Sequence, residues 1–587
     1  MKFVNVLFVV LLYCTHLSAQ VTLPNNLYFT HIGVEDGLCQ NTVCCILQDH
    51  LGFIWLGTKD GLTRYDGYRF RVFKHDAADP MSIGNNFIRV LYEDADGLIW
   101  IGTNVGVYIY NPETENFRKF DVATERGDVI SREVSSIKCD SSGDLWIGVN
   151  WQGVFRYDRR DESLELYEPV PGDTTSLSSV HVWDLCFDGD GNLWVGSQNG
   201  GLDRYDRETD RFVRHRLKGL SDVSRIVLDK QNQLLLGTMK DGLFSFNPYM
   251  GTCQPLLLDS GHKDLFVRAI FVRNSREVVV GTENGIYIYD CVTRKTRHVN
   301  QELGNPYSLS CKAVYSIYCD KEGALWIGTY FGGVNYLPPS SSLIFDKFYP
   351  IGHSDRLSGK AVREFVRDES GIIWIGTEDQ GLNRFDPVSG KFTHYNSRNS
   401  GLSCDNVHGL CVDGDRLYIG TFFGGFNIMD LKTNEIVALG SQMLPDDSVF
   451  SIFRDHDGRI WVGLTYGLCL FHPEDGSFEL VREIPENLFI YDIYQGDDGI
   501  IYFAAYNRGV ITYNPHTGKW GQVESGDEGL LKHVVSINED SAFHIWFGTE
   551  GRGAVRYTPS SGDLTAYTTR DGLPNDVVYK VIEDKNK

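Results

Sequence analysis

After its first 19 residues the chain has no apolar run that approaches the roughly 20 residues of a membrane-spanning helix. It also lacks an excess of basic residues. Its 55 Lys and Arg stand against 78 Asp and Glu, which gives a net charge of −23. This charge opposes attraction to DNA, RNA or an anionic membrane surface, so no nucleic-acid contact by this chain is predicted.

Motifs of catalysis and metal binding are missing as well. The chain has no nucleophile elbow, no HExxH and no phosphate-cradling loop. Its 13 cysteines include no CxxC pair, so we expect mostly buried thiols and no zinc site. The Asp-x-Asp-Gly turns, such as 94–97, resemble the start of a calcium loop but lack its distal carboxylate, and we interpret them as hairpin turns. No catalytic residue, metal or cofactor is predicted.

The first 19 residues have the composition of a secretory signal peptide. Lys2 precedes an apolar run at 3–13, and Leu17, Ser18 and Ala19 follow. A charged start, an apolar centre and small residues ahead of the cleavage point predict cleavage near Ala19. We therefore expect an exported, soluble product.

What the chain does contain is one phrase repeated twelve times. Each copy reads as an apolar strand, a tight turn around Asp and Gly, a second strand ending aromatic-x-Gly-Thr, then Gly-Leu-x-Arg-Tyr-Asp and Phe-x-x-Tyr. The anchors of the second strand are Trp55, Trp100, Trp146, Trp194, Leu235, Val279, Trp326, Trp374, Tyr418, Trp461, Tyr502 and Trp546. Their spacing of 41 to 48 residues is the period of a four-stranded propeller blade, which predicts an all-β chain.

The phase of the repeat predicts two β-propellers in tandem. The N-terminal strand, 27–32, matches the end of a repeat, so we expect it to close a first ring of seven blades within residues 20–339. A Pro- and Ser-rich linker, 337–342, leads into a second ring, 340–587. That ring has five full repeats and a thirteenth first strand, 577–582, so we expect it to be incomplete here and truncated in its sixth blade.

The repeats resemble a known family. The phrases 35–38, 54–58 and 328–336 are similar to two-component regulator propeller repeats, and the resemblance covers essentially the whole mature chain. Such repeats form the periplasmic sensor region of hybrid two-component systems in polysaccharide-degrading Gram-negative bacteria. The resemblance implies a periplasmic, ligand-sensing module that regulates polysaccharide utilisation. It also implies a membrane-tethered parent with a β-sandwich, a histidine kinase and a response regulator, so kinase activity belongs to that parent and not to this chain.

The internal copies also show where the repeat varies. The residues that open the innermost strands of the first ring, close to the central channel, are Cys44, Arg89, Ser135, Trp183, Ser224, Arg268 and Tyr315. Trp151 and Trp183 lie off the packing position, on the same face of adjacent blades. We interpret both as ligand-stacking residues, because aromatic faces stack on the C–H side of sugar rings. The loops 330–331, 422–423 and 506–508 are secondary candidates, or else contacts between the rings.

Five polar residues are placed to hydrogen-bond sugar hydroxyls or a uronate: Arg89, Arg268, Asn150, Gln152 and His181. The alternative is structural, with Trp151 filling a loop, Trp183 packing between blades and the arginines paired with strand carboxylates. The leading functional interpretation is recognition of an oligosaccharide. A secreted protein-interaction scaffold and a propeller lyase stay open, as does the oligomeric state, including a homodimer.

Overall fold

The computed structural model describes residues 22–24, 26–217, 220, 222–257, 265–339, 348, 356–439, 444–485 and 488–583. The predicted signal peptide, 1–19, and residues 340–342 of the predicted linker lie outside this part of the chain. The described residues form strands and short 3₁₀ helices, Val34–Asp36 and Thr569–Asp571 among them, with no α-helix. No helix found there has the length and apolar character that crossing a membrane requires.

Twelve four-stranded antiparallel sheets make up the described chain, and we number them as blades in chain order. The chain divides into two compact units, Met1–Lys347 and Phe348–Lys587. Unit 1 holds seven blades and unit 2 holds five. The predicted fold class, all-β with four-stranded propeller blades, is confirmed.

The strands of unit 1 begin with β1 (Thr30–Ile32), which belongs to blade 7. Blade 1 is β2 (Val43–Gln48), β3 (Ile54–Thr58), β4 (Gly61–Tyr65) and β5 (Phe70–Phe73). Blade 2 is β6 (Ile88–Glu93), β7 (Ile99–Thr103), β8 (Gly106–Asn111) and β9 (Asn116–Lys119). Blade 3 is β10 (Val134–Cys139), β11 (Leu145–Val149), β12 (Gly153–Asp158) and β13 (Ser163–Tyr167). Blade 4 is β14 (Val182–Phe187), β15 (Leu193–Ser197), β16 (Gly201–Asp206) and β17 (Arg211–His215).

Three further blades complete unit 1. Blade 5 is β18 (Val223–Leu228), β19 (Leu234–Thr238), β20 (Leu243–Asn247) and β21 (Thr252–Leu257). Blade 6 is β22 (Val267–Val272), β23 (Glu277–Thr282), β24 (Gly285–Asp290) and β25 (Thr296–Val299). Blade 7 is β26 (Val314–Cys319), β27 (Leu325–Thr329) and β28 (Val334–Leu337), together with β1.

Unit 2 repeats the same blade five times. Blade 8 is β29 (Val362–Arg367), β30 (Ile373–Thr377), β31 (Leu382–Asp386) and β32 (Lys391–Tyr395). Blade 9 is β33 (Val407–Asp413), β34 (Arg416–Thr421), β35 (Gly425–Asp430) and β36 (Ile436–Leu439). Blade 10 is β37 (Val449–Arg454), β38 (Ile460–Leu464), β39 (Gly467–His472) and β40 (Ser477–Leu480). Blade 11 is β41 (Ile490–Gln495), β42 (Ile501–Ala505), β43 (Gly509–Asn514) and β44 (Lys519–Gln522), and blade 12 is β45 (Val534–Glu539), β46 (Ile545–Thr549), β47 (Ala554–Thr558) and β48 (Asp563–Tyr567).

The ring of unit 1 is closed by its own N-terminal strand. Each inner strand contacts the inner strand of the next blade, from β2 through β26 and back to β2. β1 pairs antiparallel with β28, with His31 opposite Asn335. Beside β1, the buried side chain of Phe29 packs into the cluster shared by blades 6 and 7. Blade 7 therefore takes its outer strand from the start of the chain, which ties the two ends of the ring together.

A repeated hydrogen bond explains the distance between the turn Asp and the anchor Trp. In all eight blades with a Trp anchor, the indole Nε1 donates to the Asp carboxylate six residues earlier, at 2.8 to 3.2 Å. In blade 2 the second oxygen of Asp94 accepts the backbone N–H groups of Asp96 and Leu98, at 3.0 and 2.9 Å. These carboxylates hold the hairpin turn and the indole of Trp100 and its equivalents.

Replacing Asp94 by Ala is expected to lower the free energy of unfolding by about 2 kcal/mol, because the buried indole N–H of Trp100, the partly buried N–H groups of the turn and the Arg159 guanidinium lose their acceptor. Asp96→Ala is the matched control, since it removes only an exposed ion pair with Arg159 and should change stability by less than about 1 kcal/mol. Urea unfolding of both variants checks this. Equal losses would mean that the buried hydrogen bonds of Asp94 are not what stabilises the turn.

The sequence predicted a thirteenth first strand at 577–582. This prediction is wrong, because these residues form no strand. Only Val577 forms an isolated bridge, with Glu550, and Val578 N donates to Thr549 O at 2.9 Å. Val581 O accepts the Asn538 side-chain amide at 2.9 Å. The segment runs beside β45 without a ladder, because no described residue supplies a second strand for it to pair with.

Candidate functional site

Every inner strand carries a β-bulge at the same place. In all twelve blades the pairing of the first and second strands shifts by one residue just after a Val or Ile. A bulge leaves one residue unpaired and re-aims its side chain. The bulged residues are Cys44, Arg89, Ser135, Trp183, Ser224, Arg268, Tyr315, Arg363, His408, Phe450, Tyr491 and Val535. The variable position seen in the sequence is thus the bulge, where a side chain can change without disturbing the ladder.

The bulged residues of unit 1 contribute to a belt of cationic and aromatic side chains, which we call the first mouth. On one side, the Arg268 guanidinium lies 4.0 Å from the ring centroid of Phe266 and 4.4 Å from that of Tyr315. Phe266 meets Trp183 edge-on at 6.0 Å, and Tyr315 meets Tyr330 at 5.1 Å. The belt therefore connects side chains from blades 4, 6 and 7.

The other side of the first mouth is built around Arg89. Its guanidinium stacks on Phe87 at 4.2 Å, and its Nε donates to Asn104 Oδ1 at 2.8 Å. Lys59 joins the two sides, because its Nζ lies 5.7 Å from the Phe87 ring and 4.2 Å from the ring of Tyr330. Such cation–π contacts hold the charged groups in place while leaving them at the surface of the channel.

Both predicted arginines also pair with carboxylates. Arg89 Nη2 lies 3.0 Å from Glu133, and Arg268 donates to Glu283 at 2.5 Å. These ion pairs agree with the structural alternative, in which the arginines pair with strand carboxylates. Each carboxylate occupies only some of the N–H groups of its arginine. The ion pairs therefore position the guanidinium groups and leave them in the channel.

Trp151 lies with two of the other predicted residues. Its ring meets His181 edge-on, with centroids 4.1 Å apart. His181 Nδ1 donates to Asn150 Oδ1 at 3.2 Å. Gln152 is placed differently, because its amide accepts from the backbone of Ser131 and donates to that of Val129. Trp151, His181 and Asn150 form one group, whereas Gln152 braces the loop before β10.

Trp183 is not part of that group. No ring contact joins it to Trp151 within the described chain, and its nearest aromatic neighbour is Phe266. Its indole N–H is buried and has no acceptor among the described residues. The two tryptophans are on adjacent blades, as predicted, but they occupy separate environments.

The backbone of Trp151 is strained. Its φ is +69°, in the left-handed region that bulky residues rarely adopt, and 65 % of its surface is exposed. At the equivalent loop position, blades 4, 11 and 12 have Asn199, Asn507 and Gly551, which tolerate that conformation. Strained backbone is concentrated at functional sites, and an exposed indole adds nothing to the core.

Several residues of the first mouth were missed from the sequence. Phe87 and Phe266 each lie two residues before a bulged arginine and serve as its stacking platform, so the repeated Phe-x-Arg pattern was the available signal. Arg225 follows the bulge of blade 5 and donates to the carbonyl of Arg268 at 2.7 Å. Burial lowers the pKa of Arg225. Burial also raises the pKa of the Cys44 thiol to about 11, so that thiol is unreactive.

Comparison with known proteins identifies the repeat. Five stretches match the family model described as "Two component regulator propeller", at residues 37–60, 82–105, 176–199, 308–331 and 443–466. The chain carries two component regulator propeller repeats. Each matched stretch ends in the loop after the second strand of a blade, so each includes the first two strands of its blade and the start of that loop.

Two solved structures are similar to this chain. The extracellular domain of a putative hybrid two component system from B. thetaiotaomicron is similar over 96 % of this chain and 81 % of its own, with 25 % identity and a TM-score of 0.68. Another extracellular domain of a putative hybrid two component system from that organism aligns over 93 % of this chain and 79 % of its own, with 19 % identity and a TM-score of 0.48.

One curated relative is similar over a short stretch. Histidine kinase P4 of Formosa agariphila is 39 % identical over 59 residues, which are 10 % of this chain. The match spans 4 % of that protein's length. The similarity therefore covers a small part of either protein.

Proposed function

We propose that the chain is the periplasmic ligand-sensing part of a hybrid two-component system, and that it recognises an oligosaccharide at the first mouth. The observation that carries this proposal is Trp151, an exposed indole on strained backbone in the loop between β11 and β12. The similarity to an extracellular domain of a putative hybrid two component system supports the sensing role. The proposed role is recognition without catalysis, and it regulates polysaccharide utilisation.

The side chains of the Trp151 group and of the first mouth together suit a sugar. Trp151 offers a flat apolar face, and Asn150 and His181 beside it supply amide and imidazole groups for hydroxyls. Arg89 and Arg268 add guanidinium donors held by stacking. Carbohydrate sites in general combine an aromatic platform with a few fixed polar groups.

Signalling requires that the ligand prefer one of two states of the protein. A ligand shifts an equilibrium only through a difference in affinity, so binding at the mouth must alter how the propellers engage the parts that follow them. The proposed partner is the histidine kinase part of a longer parent protein. Export with cleavage near Ala19 would place the mouth in the periplasm.

Trp151→Asn tests the proposal without damaging the fold, because Asn suits the left-handed backbone found there. Isothermal titration against a panel of plant and algal oligosaccharides is expected to show a ligand whose affinity falls about tenfold in the variant, through loss of aromatic stacking. The melting temperature should stay level or rise.

Tyr68→Asn is the matched control, because Tyr68 is an aromatic residue with 93 % exposure in the turn between β4 and β5, outside the mouth. It should leave binding unchanged. A panel in which no saccharide binds the wild-type chain, or an equal loss in both variants, would contradict the proposal and favour a protein-interaction scaffold.

A further inference from the structure

The channel of unit 2 contains a cavity of about 450 Å³. Its walls include the bulged residues of blades 8 to 11, namely Arg363, His408, Phe450 and Tyr491. The volume falls within the range of small-ligand sites, about 300 to 1,000 Å³. The cavity therefore occupies the same place in its unit, against the bulges, as the first mouth does in unit 1.

A continuous aromatic wall borders this cavity. His408 meets Phe450 with centroids 4.4 Å apart, and Phe450 meets Phe489 at 4.3 Å. Phe489 stacks on Tyr491 at 4.3 Å, and Tyr491 lies 5.4 Å from Tyr506. Five rings from blades 9 to 11 thus present apolar faces and edges along one side of the channel.

Phe423 stands at the rim of this wall. It contacts Phe422 at 3.9 Å, and Phe422 contacts His408 and Phe450 at 5.7 and 5.5 Å. Phe423 occupies the same loop position as Trp151, with φ of +65° and 69 % exposure. Each unit therefore has an exposed aromatic residue with strained backbone at this loop position.

The charges around this cavity differ from those of the first mouth. Arg363 lies 3.4 Å from Glu378, and Lys580 lies 3.4 Å from Asp492. The remaining carboxylates of the lining, Glu364 and Glu550, have no cation within ion-pair distance among the described residues. The lining holds four carboxylates against two cations, and although burial raises the pKa of Glu364, the remaining negative charge of Glu550 opposes a ligand with carboxylate or sulfate groups.

His408 supplies an uncharged donor. Burial, followed by the nearby charge of Arg363, lowers the pKa of His408 to about 3, so its imidazole is neutral at physiological pH. Arg363 Nη2 donates to His408 Nδ1 at 3.2 Å, which leaves the proton on Nε2. The cavity thus combines a neutral N–H donor with carboxylate acceptors, which together suit hydroxyl groups.

We infer that the channel of unit 2 is a second saccharide site, which takes neutral sugar units and excludes uronic acid or sulfated units. Phe423 supplies the stacking face at the rim, and Glu364 and His408 hydrogen-bond hydroxyls within. The site rests on residues of unit 2 alone and adds a second specificity to the sensing role of the first mouth.

Phe423→Asn and Trp151→Asn in the full chain separate the two sites. The probes are neutral hexaoses of xylose, mannose, glucose and arabinose, and hexagalacturonate, each titrated calorimetrically. We expect one neutral hexaose whose affinity falls at least about tenfold in Phe423→Asn and is unchanged in Trp151→Asn. Hexagalacturonate should show no binding that depends on Phe423. It should also not compete with the neutral hexaose. Both variants should melt at or above the wild-type temperature.

Each result decides between the sites. If no neutral hexaose loses affinity in Phe423→Asn, or if the ligand that depends on Phe423 is the galacturonate, the second site is overturned. If all saccharide binding depends on Trp151 alone, the second site fails while the proposed function stands. If binding depends on Phe423 and never on Trp151, the first mouth fails while the second site stands.

Discussion

Phe29→Ala is expected to lower the free energy of unfolding of unit 1 by about 4 kcal/mol, the largest effect of any single substitution considered for this chain. Phe29 is 1 % exposed and packs into the core cluster of blades 6 and 7. Its backbone N–H donates to Tyr307 O at 2.9 Å. β1 has only three paired residues, so the Phe29 side chain is a principal anchor of the strand that closes the ring.

Loss of this anchor should also expose a specific edge. When β1 detaches, β28 keeps β27 but loses its outer partner, so hydrogen exchange of those amides within Val334–Tyr336 that face β1 should accelerate before the other blades open. Hydrogen exchange over a urea series measures both the local and the global effect. Val213→Ala, on the outer strand β17 with 41 % exposure, is the control and should change stability by less than about 1 kcal/mol. Similar losses in both variants would mean that closure by β1 contributes little.

Asp203→Asn is expected to stabilise unit 1 by about 2 to 3 kcal/mol at pH 7.5. Asp203 is fully buried, and its Oδ1 has no partner among the described residues. Its Oδ2 accepts from the backbone and hydroxyl of Ser178, at 2.8 and 2.6 Å. Burial outweighs these hydrogen bonds and raises the pKa of Asp203 to about 6.

Equivalent blades show that Asn fits this position. Asn335, Asn383 and Asn427 each accept the corresponding backbone N–H, from Ser310, Ser358 and Ser403, at 2.8 to 3.0 Å. Their amide groups also find acceptors, such as Ser310 Oγ at 2.9 Å from Asn335. An amide therefore replaces a buried charge with groups that this architecture already satisfies.

The stabilisation should depend on pH in a defined direction. Because the folded-state pKa of Asp203 is raised, the folded chain binds more protons than the unfolded chain between about pH 4 and pH 6, and wild-type stability falls as pH rises through that window. The gain from Asp203→Asn should be full above about pH 6 and should disappear near pH 4. Melting temperatures at pH 4 and pH 7.5 check this.

Asn335→Asp is the reciprocal control for the buried carboxylate. It places a buried acid at the equivalent position of blade 7, so it should destabilise the chain at pH 7.5 and recover toward pH 4. A gain from Asp203→Asn that is equal at both pH values would contradict the explanation. In that case the benefit would not come from removing a charge.

Much of the fold follows from local sequence. The spacing of Trp55 and its eleven equivalents predicted the blades, and the phase of the N-terminal strand predicted that it would complete the seventh. The candidate site was only partly accessible, because contacts across the channel depend on the tertiary structure. Trp183 meets Phe266 from a blade two places along the ring, and no periodic pattern encodes that contact.

The grouping of the predicted residues was also a tertiary outcome. Trp151, His181 and Asn150 come together because the bridge between Asn150 and His181 joins blades 3 and 4. Gln152 adjoins Trp151 in sequence, yet its amide turns to the loop before β10. The strain at Trp151 depends on a backbone dihedral, which composition and spacing do not reveal.

The sequence by itself determined the repeating unit: the turn aspartate, the anchor tryptophan and the glycine that ends each loop interact within one blade, so they can be recognised from spacing alone. The tertiary structure alone decided which side chains share a channel and which charges they leave uncompensated. The reason is physical, because the position of a bulged side chain relative to the opposite blade depends on the closure and curvature of the whole ring. Those are properties of many blades together, and no single repeat contains them.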